Sequence, residues 1–508
     1  MDTAIIEASQ GPQPGNTEAR GRPKTSFTAD VLKLVSGTTF AQVLTILAAP
    51  IIARLYAPEA YGLLALFTSV TGILGVIACM RYELAIMLPE KDDGAANLLG
   101  VCLGFSLLIA LFTVPIIWLA KGPFLQWVHA PGLAPYLWLV PVLVFVHGVF
   151  LALNYWNSRT RHFGRLSIAR VLSSLTTTST KLGAGFTGYA TSAAMIGATV
   201  GGQVVALAVL GGQIWRDDGQ LFLKTIGWRD MVLQAKQHRK FPLFDIWSAL
   251  LNTISVQLPA LLLSTFFSPM IVGFYALGHG ILAIPMSLIG GAVGQVFYQR
   301  ASEAKIEGRL SAVVERTLHH LVLLSAFPFL LLAIIGPDIF KVVFGEQWAQ
   351  AGVFTQILAP WLFFVFLGSP ISTLYPVLGL QEAGLIFNIV LVASRAGSLV
   401  IGGLRGDILL ALVLFSASGT VMWAGFCVYL ASKSSLSLPR LAKAMVARMV
   451  TALVFLLPIA LVKWVLVWNA HAILFTSIVA TLLYYSYAIG RDEGIRSHLV
   501  TRLYQRTK

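Results

Sequence analysis

Charge is scarce in this chain. Asp, Glu, Lys and Arg together make up 11% of its 508 residues, about half the share of an ordinary soluble protein. Cysteine is scarcer: Cys79, Cys102 and Cys427 all fall in apolar stretches, which excludes a disulfide framework and a CxxC metal site. No Walker A loop, GxSxG elbow or HExxH pair occurs, so nothing points to a catalytic residue, a metal or a cofactor, and ATP-driven transport would need a partner subunit. The first thirty residues lack the apolar core of a signal peptide and read as a disordered tail.

What is abundant is apolar sequence, 57% of the chain with a mean hydropathy of +0.78. It comes in runs near 31–53, 62–88, 95–120, 133–156, 166–188, 190–213, 241–266, 270–297, 317–341, 353–379, 382–403, 408–431, 445–467 and 471–490. About 20 apolar residues span a bilayer core, and in lipid only a helix of that length satisfies its own backbone. The fold class expected is therefore an all-α polytopic membrane protein with about 14 transmembrane helices.

The bases alternate with the spans. The odd gaps hold only Arg54, Lys121, Lys341, Arg405 and Lys463; Lys181 and Arg395 lie inside spans, and the rest of the 36 Lys and Arg sit in the tails and the even gaps or at the span ends beside them. Positive residues stay on the cytoplasmic side, so both termini are expected there. The net charge of +14 belongs to this topology and to anionic headgroups, and no nucleic-acid partner is implied.

The chain repeats itself. Residues 55–66 (LYAPEAYGLLAL) match 266–277 (FFSPMIVGFYAL) at Pro58/Pro269, Gly62/Gly273, Ala65/Ala276 and Leu66/Leu277. An offset of six spans preserves direction, as in transporters built of parallel repeats around a central site. Two pseudo-symmetric six-helix lobes plus a C-terminal helix pair follow: a tail over 1–30, a first lobe over 31–213, a cytoplasmic linker over 214–240, a second lobe over 241–431, a helix pair over 445–490 and a tail over 491–508. The linker is basic and reads as an amphipathic segment on the anionic leaflet.

Polar residues inside the spans mark the candidate site. Thr38, Gln42 and Thr45 share one helical face, and Ser248, Asn252 and Ser255 repeat the stripe. Such stripes serve either helix–helix hydrogen bonding or a polar cavity suited to sugar hydroxyls. Lys181 and Arg395 lie in the outer halves of equivalent spans, where they either snorkel or face each other across the cavity and hold a diphosphate. Arg81 and Glu83, in RYELAIMLP, either snorkel, pair with neighbouring groups or guard the inner mouth. Asp245 reads as a helix-start charge or an ion-pair partner.

GTTFAQ in the opening helix, the turn YAPEAYG, RYELAIMLPEKDDGAANLL after span two and SLIGGAVGQVFYQRASEA after span eight resemble bacterial polysaccharide-biosynthesis flippases of the MATE-like superfamily. The resemblance covers most of residues 30–430. It implies a V-shaped pair of lobes that moves an oligosaccharide linked to undecaprenyl diphosphate across the inner membrane by alternating access. It also implies membrane lipids, and a polymerase or chain-length machinery, as partners. A cation-coupled drug or metabolite exporter is the alternative, with Glu83 as its only nearby carboxylate, and a membrane enzyme is a third class.

Overall fold

The computed structural model describes residues 27–466 and 469–491. The expected tail over 1–30 thus lies almost wholly outside the described residues, as does the tail over 491–508 beyond Arg491. The described chain is helical, and no strand occurs among the described residues.

The first lobe comprises α1 (Phe27–Leu55), α2 (Pro58–Ile77), α3 (Asp92–Trp127), α4 (Val140–Arg159), α5 (Phe163–Phe186) and α6 (Ser192–Thr225). The short α7 (Trp228–Gln237) follows. The second lobe comprises α8 (Ile246–Phe266), α9 (Pro269–Pro285), α10 (Gly291–Ile306), α11 (Leu310–Phe344), α12 (Ala349–Ile371), the short α13 (Leu374–Leu378), α14 (Gln381–Leu404) and α15 (Ile408–Lys433). A final pair, α16 (Leu438–Ala460) and α17 (Ala470–Arg491), completes the chain. Local chemistry sets several starts. Pro58 and Pro269 open α2 and α9, where proline's missing N–H costs nothing. The side chains of Thr191, Ser268 and Asp407 cap α6, α9 and α15.

All fourteen expected spans are helical, with two differences. Thirteen described helical stretches are long and apolar enough to cross a membrane; the fifth expected span, α5, falls short because Arg170, Lys181 and a run of Ser and Thr dilute it. Its 24 residues still reach about 36 Å at 1.5 Å per residue. The second expected span, 62–88, does not run through. The helix ends at Ile77, Met80 and Arg81 adopt left-handed φ values of 50° and 66°, and a 3-10 segment, Tyr82–Met87, follows. Two left-handed non-glycine residues are costly; anchors on either side of the turn hold them, Arg81 on Asp245 and the Tyr82 hydroxyl on the Ala235 carbonyl.

Packing repeats between the lobes. α1 lies on α5 as α8 lies on α14, α5 on α6 as α14 on α15, α4 on α6 as α12 on α15, and α3 on α4 as α11 on α12. The lobes meet mainly where α2 crosses α8 and α9. The end at which α1 stops and α2 starts is pinned by hydrogen bonds between lobes. Arg54 donates to the carbonyls of Val342 and Val343, Trp348 Nε1 to Ala53 O at 2.7 Å, and Gln347 to Ala53 O at 3.0 Å. The α16–α17 pair packs on α11, where Tyr484 and Tyr485 donate to the carbonyls of Leu323 and Leu324, each at 2.8 Å, and Lys463 lies 2.8 Å from the Asp338 carboxylate. Large apolar side chains such as Leu111, Trp118, Val450 and Leu457 remain exposed on the outside, as a lipid-facing surface requires.

Candidate functional site

The first lobe holds a partly open cavity of about 420 Å³ between α1, α4, α5 and α6. Its polar wall is one face of α5. Arg170, Ser174, Thr177 and Lys181 stand at i, i+4, i+7 and i+11 and so share a face. The two cations are about 16 Å apart along the axis, with hydroxyls between them, and His147 and Gln203 complete the polar lining. Arg170 Nη1 donates to Thr38 Oγ1 at 3.2 Å. Thr45 Oγ1 lies 3.1 Å from Ser174 Oγ, which donates to Ala41 O at 3.0 Å. Among the described residues no carboxylate lines this cavity. Among the described residues the Lys181 ammonium has no ion-pair or hydrogen-bond partner, although the Lys181 carbonyl accepts from Tyr56 at 2.8 Å. A wall of two cations and several hydroxyls, with no acid to neutralise it, is suited to an oxyanion beside sugar hydroxyls.

Arg395 does not share that cavity. It lies on α14 in a separate cavity of about 180 Å³ within the second lobe. Nη1 donates to Ser255 Oγ at 3.0 Å, and the guanidinium lies 5.2 Å from the ring centre of Trp361 and 5.9 Å from that of Phe415. The structure therefore places the two cations in equivalent helices of different lobes, not facing each other across one chamber.

The two polar stripes divide in the same way. Thr38 and Thr45 bond within the first lobe to α5. Gln42 reaches across and donates to Ser287. Ser255 turns inward to Arg395, while Ser248 and Asn252 are exposed on α8.

Arg81, Glu83 and Asp245 form an ionic cluster between the lobes. Arg81 Nε lies 2.7 Å from Asp245 Oδ2 and Nη1 lies 3.2 Å from Glu83 Oε1. Glu83 is fully buried and its second carboxylate oxygen has no partner. Arg81 thus faces two acids from two elements, and Asp245 serves as its ion-pair partner. No group of His, Cys, Asp and Glu suited to a metal occurs among the described residues.

Arg170 escaped the sequence reading because it sits beside the basic gap after span four and reads as a topology signal. Its signal lay in the spacing: RVLSSLTTTSTK puts two cations on one helical face with hydroxyls between.

Residues 51–352 match the family described as "Polysaccharide biosynthesis protein", and no curated protein matches the chain. Among solved structures, the lipid II flippase MurJ in an inward closed conformation superposes with a TM-score of 0.68 at 15% identity, covering 90% of this chain and 98% of that one. A multidrug-resistance MATE transporter in its inward-facing conformation gives 0.59 at 16%, covering 79% and 96%. A MOP-superfamily transporter from Pyrococcus furiosus gives 0.52 at 16%, covering 82% and 97%. At such identities the likeness is one of fold. Taken with the family match and the two-lobed architecture, it makes this chain a multi-pass membrane protein of the polysaccharide biosynthesis family with the MATE-like fold of MOP-superfamily transporters.

Proposed function

We propose that the protein is a flippase that carries an oligosaccharide linked to undecaprenyl diphosphate from the cytoplasmic to the outer leaflet of the inner membrane by alternating access. Both termini are then cytoplasmic, and a polysaccharide polymerase acts on the product. The observation that carries this reading is the α5 wall, two cations flanking hydroxyls in a cavity that no carboxylate lines among the described residues. A desolvated sugar hydroxyl costs several kcal/mol unless it is rebonded, and the Ser and Thr of α5 supply partners. Lys181, whose ammonium has no partner among the described residues, offsets the diphosphate through charge-assisted hydrogen bonds worth about 1.5–3 kcal/mol each, and Arg170, about 16 Å along the helix, adds positive potential to the same wall. The isoprenoid tail stays in lipid beside the lobes.

The same wall speaks against a cationic cargo, because it repels one. The test is translocation of a fluorescent lipid-diphosphate oligosaccharide in proteoliposomes. Lys181→Ala with Arg170→Ala is expected to cut the rate at least tenfold while insertion into the membrane is unchanged. An unaltered rate overturns the reading, and extrusion of cationic dyes by the unmodified protein favours the exporter alternative.

A further inference from the structure

A groove of about 560 Å³ runs between α10 and α11, apart from the cavities of Lys181 and Arg395. The chain turns back between the two helices at Gly308, whose φ of 72° is left-handed. Much of the groove is apolar, with Val293, Val296 and Phe297 from α10 and Ala312 and Val313 from α11. Its charged lining is Arg300, Glu303, Glu307, Arg309 and Arg316. Three of these five have partners: Glu307 pairs with Arg309, and Glu303 accepts from Gln299 Nε2 at 3.2 Å. Lys305, the other cation of α10, is taken by the Val377 carbonyl at 2.5 Å. Arg300 and Arg316 have no ion pair or side-chain hydrogen bond among the described residues.

These two arginines stand level with each other. Arg300 comes six residues before the end of α10 at Ile306, and Arg316 six residues after the start of α11 at Leu310, so each lies about 9 Å along its helix from the turn. On both helices the arginine marks the place where apolar sequence meets polar. Val293, Val296 and Phe297 precede Arg300, and Ser302, Glu303 and Lys305 follow it; Glu315 and His319 flank Arg316, and the run Leu321–Leu324 continues from there. That boundary is the depth of lipid headgroups. Guanidinium forks match phosphate oxygens there. Val296 is 53% exposed, so the apolar part of the groove is open at its side. An open groove with unpaired cations at one level and an apolar lining beyond them suits an amphiphile, not a free ion.

We propose that the α10–α11 groove binds one anionic phospholipid, its phosphate held between Arg300 and Arg316 and an acyl chain lying along Val293, Val296 and Phe297. The site is separate from the α5 wall and independent of the identity of the cargo. A lipid held there ties α10 to α11 just beyond Met286–Gly290, where the helix begun by α9 departs from regular α geometry.

Thermal melting of the full-length protein in detergent tests this, with dioleoyl-phosphatidylglycerol as the probe and dioleoyl-phosphatidylcholine and inorganic phosphate beside it. Phosphatidylglycerol is expected to raise the midpoint saturably, and the other two are not. Arg300→Gln with Arg316→Gln is expected to raise the half-saturating lipid concentration by about tenfold or more, because one charge-assisted hydrogen bond is worth about that factor. Lys181→Gln is expected to leave the titration unchanged. If the double variant melts too low to titrate, Arg316→Gln alone, at an exposed position, carries the comparison. No rise with phosphatidylglycerol, an equal rise with phosphatidylcholine, or an unchanged titration in the arginine variants overturns the proposal. So does a rise reproduced by inorganic phosphate, because the occupant is then a free anion. A rise lost in Lys181→Gln also overturns it, because the lipid then acts at the α5 wall.

Discussion

Gly62 and Gly273 face each other where α2 crosses α9. A Cβ on Gly62 would come 1.7 Å from the Pro269 carbonyl oxygen, and one on Gly273 would come 1.9 Å from that of Pro58. The two copies of the repeated sequence motif therefore lie against each other, each glycine beneath the proline that opens the partner helix. No side chain fits between these backbones, and glycine's missing Cβ allows the approach.

Gly62→Ala is expected to destabilise the seam between the lobes by about 1–3 kcal/mol, the usual cost of overpacking, and Gly273→Ala by a similar amount. Gly104→Ala is the control: its Cβ meets nothing within 4 Å, so the change is neutral or slightly stabilising, since alanine is the better helix former. Thermal melts in detergent read both. Equal midpoints for Gly62→Ala and Gly104→Ala would show that the crossing tolerates side chains.

The cluster of Arg81, Glu83 and Asp245 predicts an asymmetric response. Asp245 has a side chain 42% exposed, so Asp245→Asn removes a solvent-screened partner and costs about 1 kcal/mol or less. Arg81→Ala leaves the fully buried Glu83 without its cation and costs more. Adding Glu83→Gln to Arg81→Ala should recover part of that loss. A double-mutant cycle on the melting midpoint checks this, and strictly additive effects would argue against pairing in solution.

Lys181 is expected to separate transport from stability. Its ammonium has no partner among the described residues, so Lys181→Met removes a partly buried charge without breaking an ion pair seen there. The melting midpoint is expected to be unchanged or higher while flipping falls. A residue that served the fold would show both falling together.

Trp348 predicts the strength of the closed end. Its N–H donates to Ala53 O at 2.7 Å, and its ring packs edge-on against Tyr61 at 4.9 Å. Trp348→Phe keeps most of the ring packing and loses the hydrogen bond, a cost of about 0.5–1.5 kcal/mol. Because that bond joins the lobes, spin-label distances across this end should broaden towards longer values. An unchanged distribution would mean that Arg54 and Gln347 hold the end without it.

Much of the fold was legible in the residues. Each long apolar run forms a helix, because in lipid no other backbone arrangement satisfies its own polar groups. The repeat of Pro58 and Gly62 at Pro269 and Gly273 announced two lobes. The halt of α2 at Ile77 was not legible, since MRYELAI is apolar enough to extend a span. It is the reach of Arg81 to Asp245, 164 residues away, and of Tyr82 to Ala235 that turns the chain there. The α5 wall was half legible: Lys181 stood out as a charge inside a span, whereas Arg170 looked like a topology signal until its face was seen to point into the same cavity.

The sequence alone determined where the long apolar helices run, which of them are related by the repeat and which carry a charge, because these follow from hydropathy and spacing along one chain. Only the tertiary structure decided that Lys181 and Arg395 occupy separate cavities and that Gly62 meets Gly273. Both depend on how each helix is rotated about its axis, and that rotation is set by the fit of side chains from distant parts of the chain.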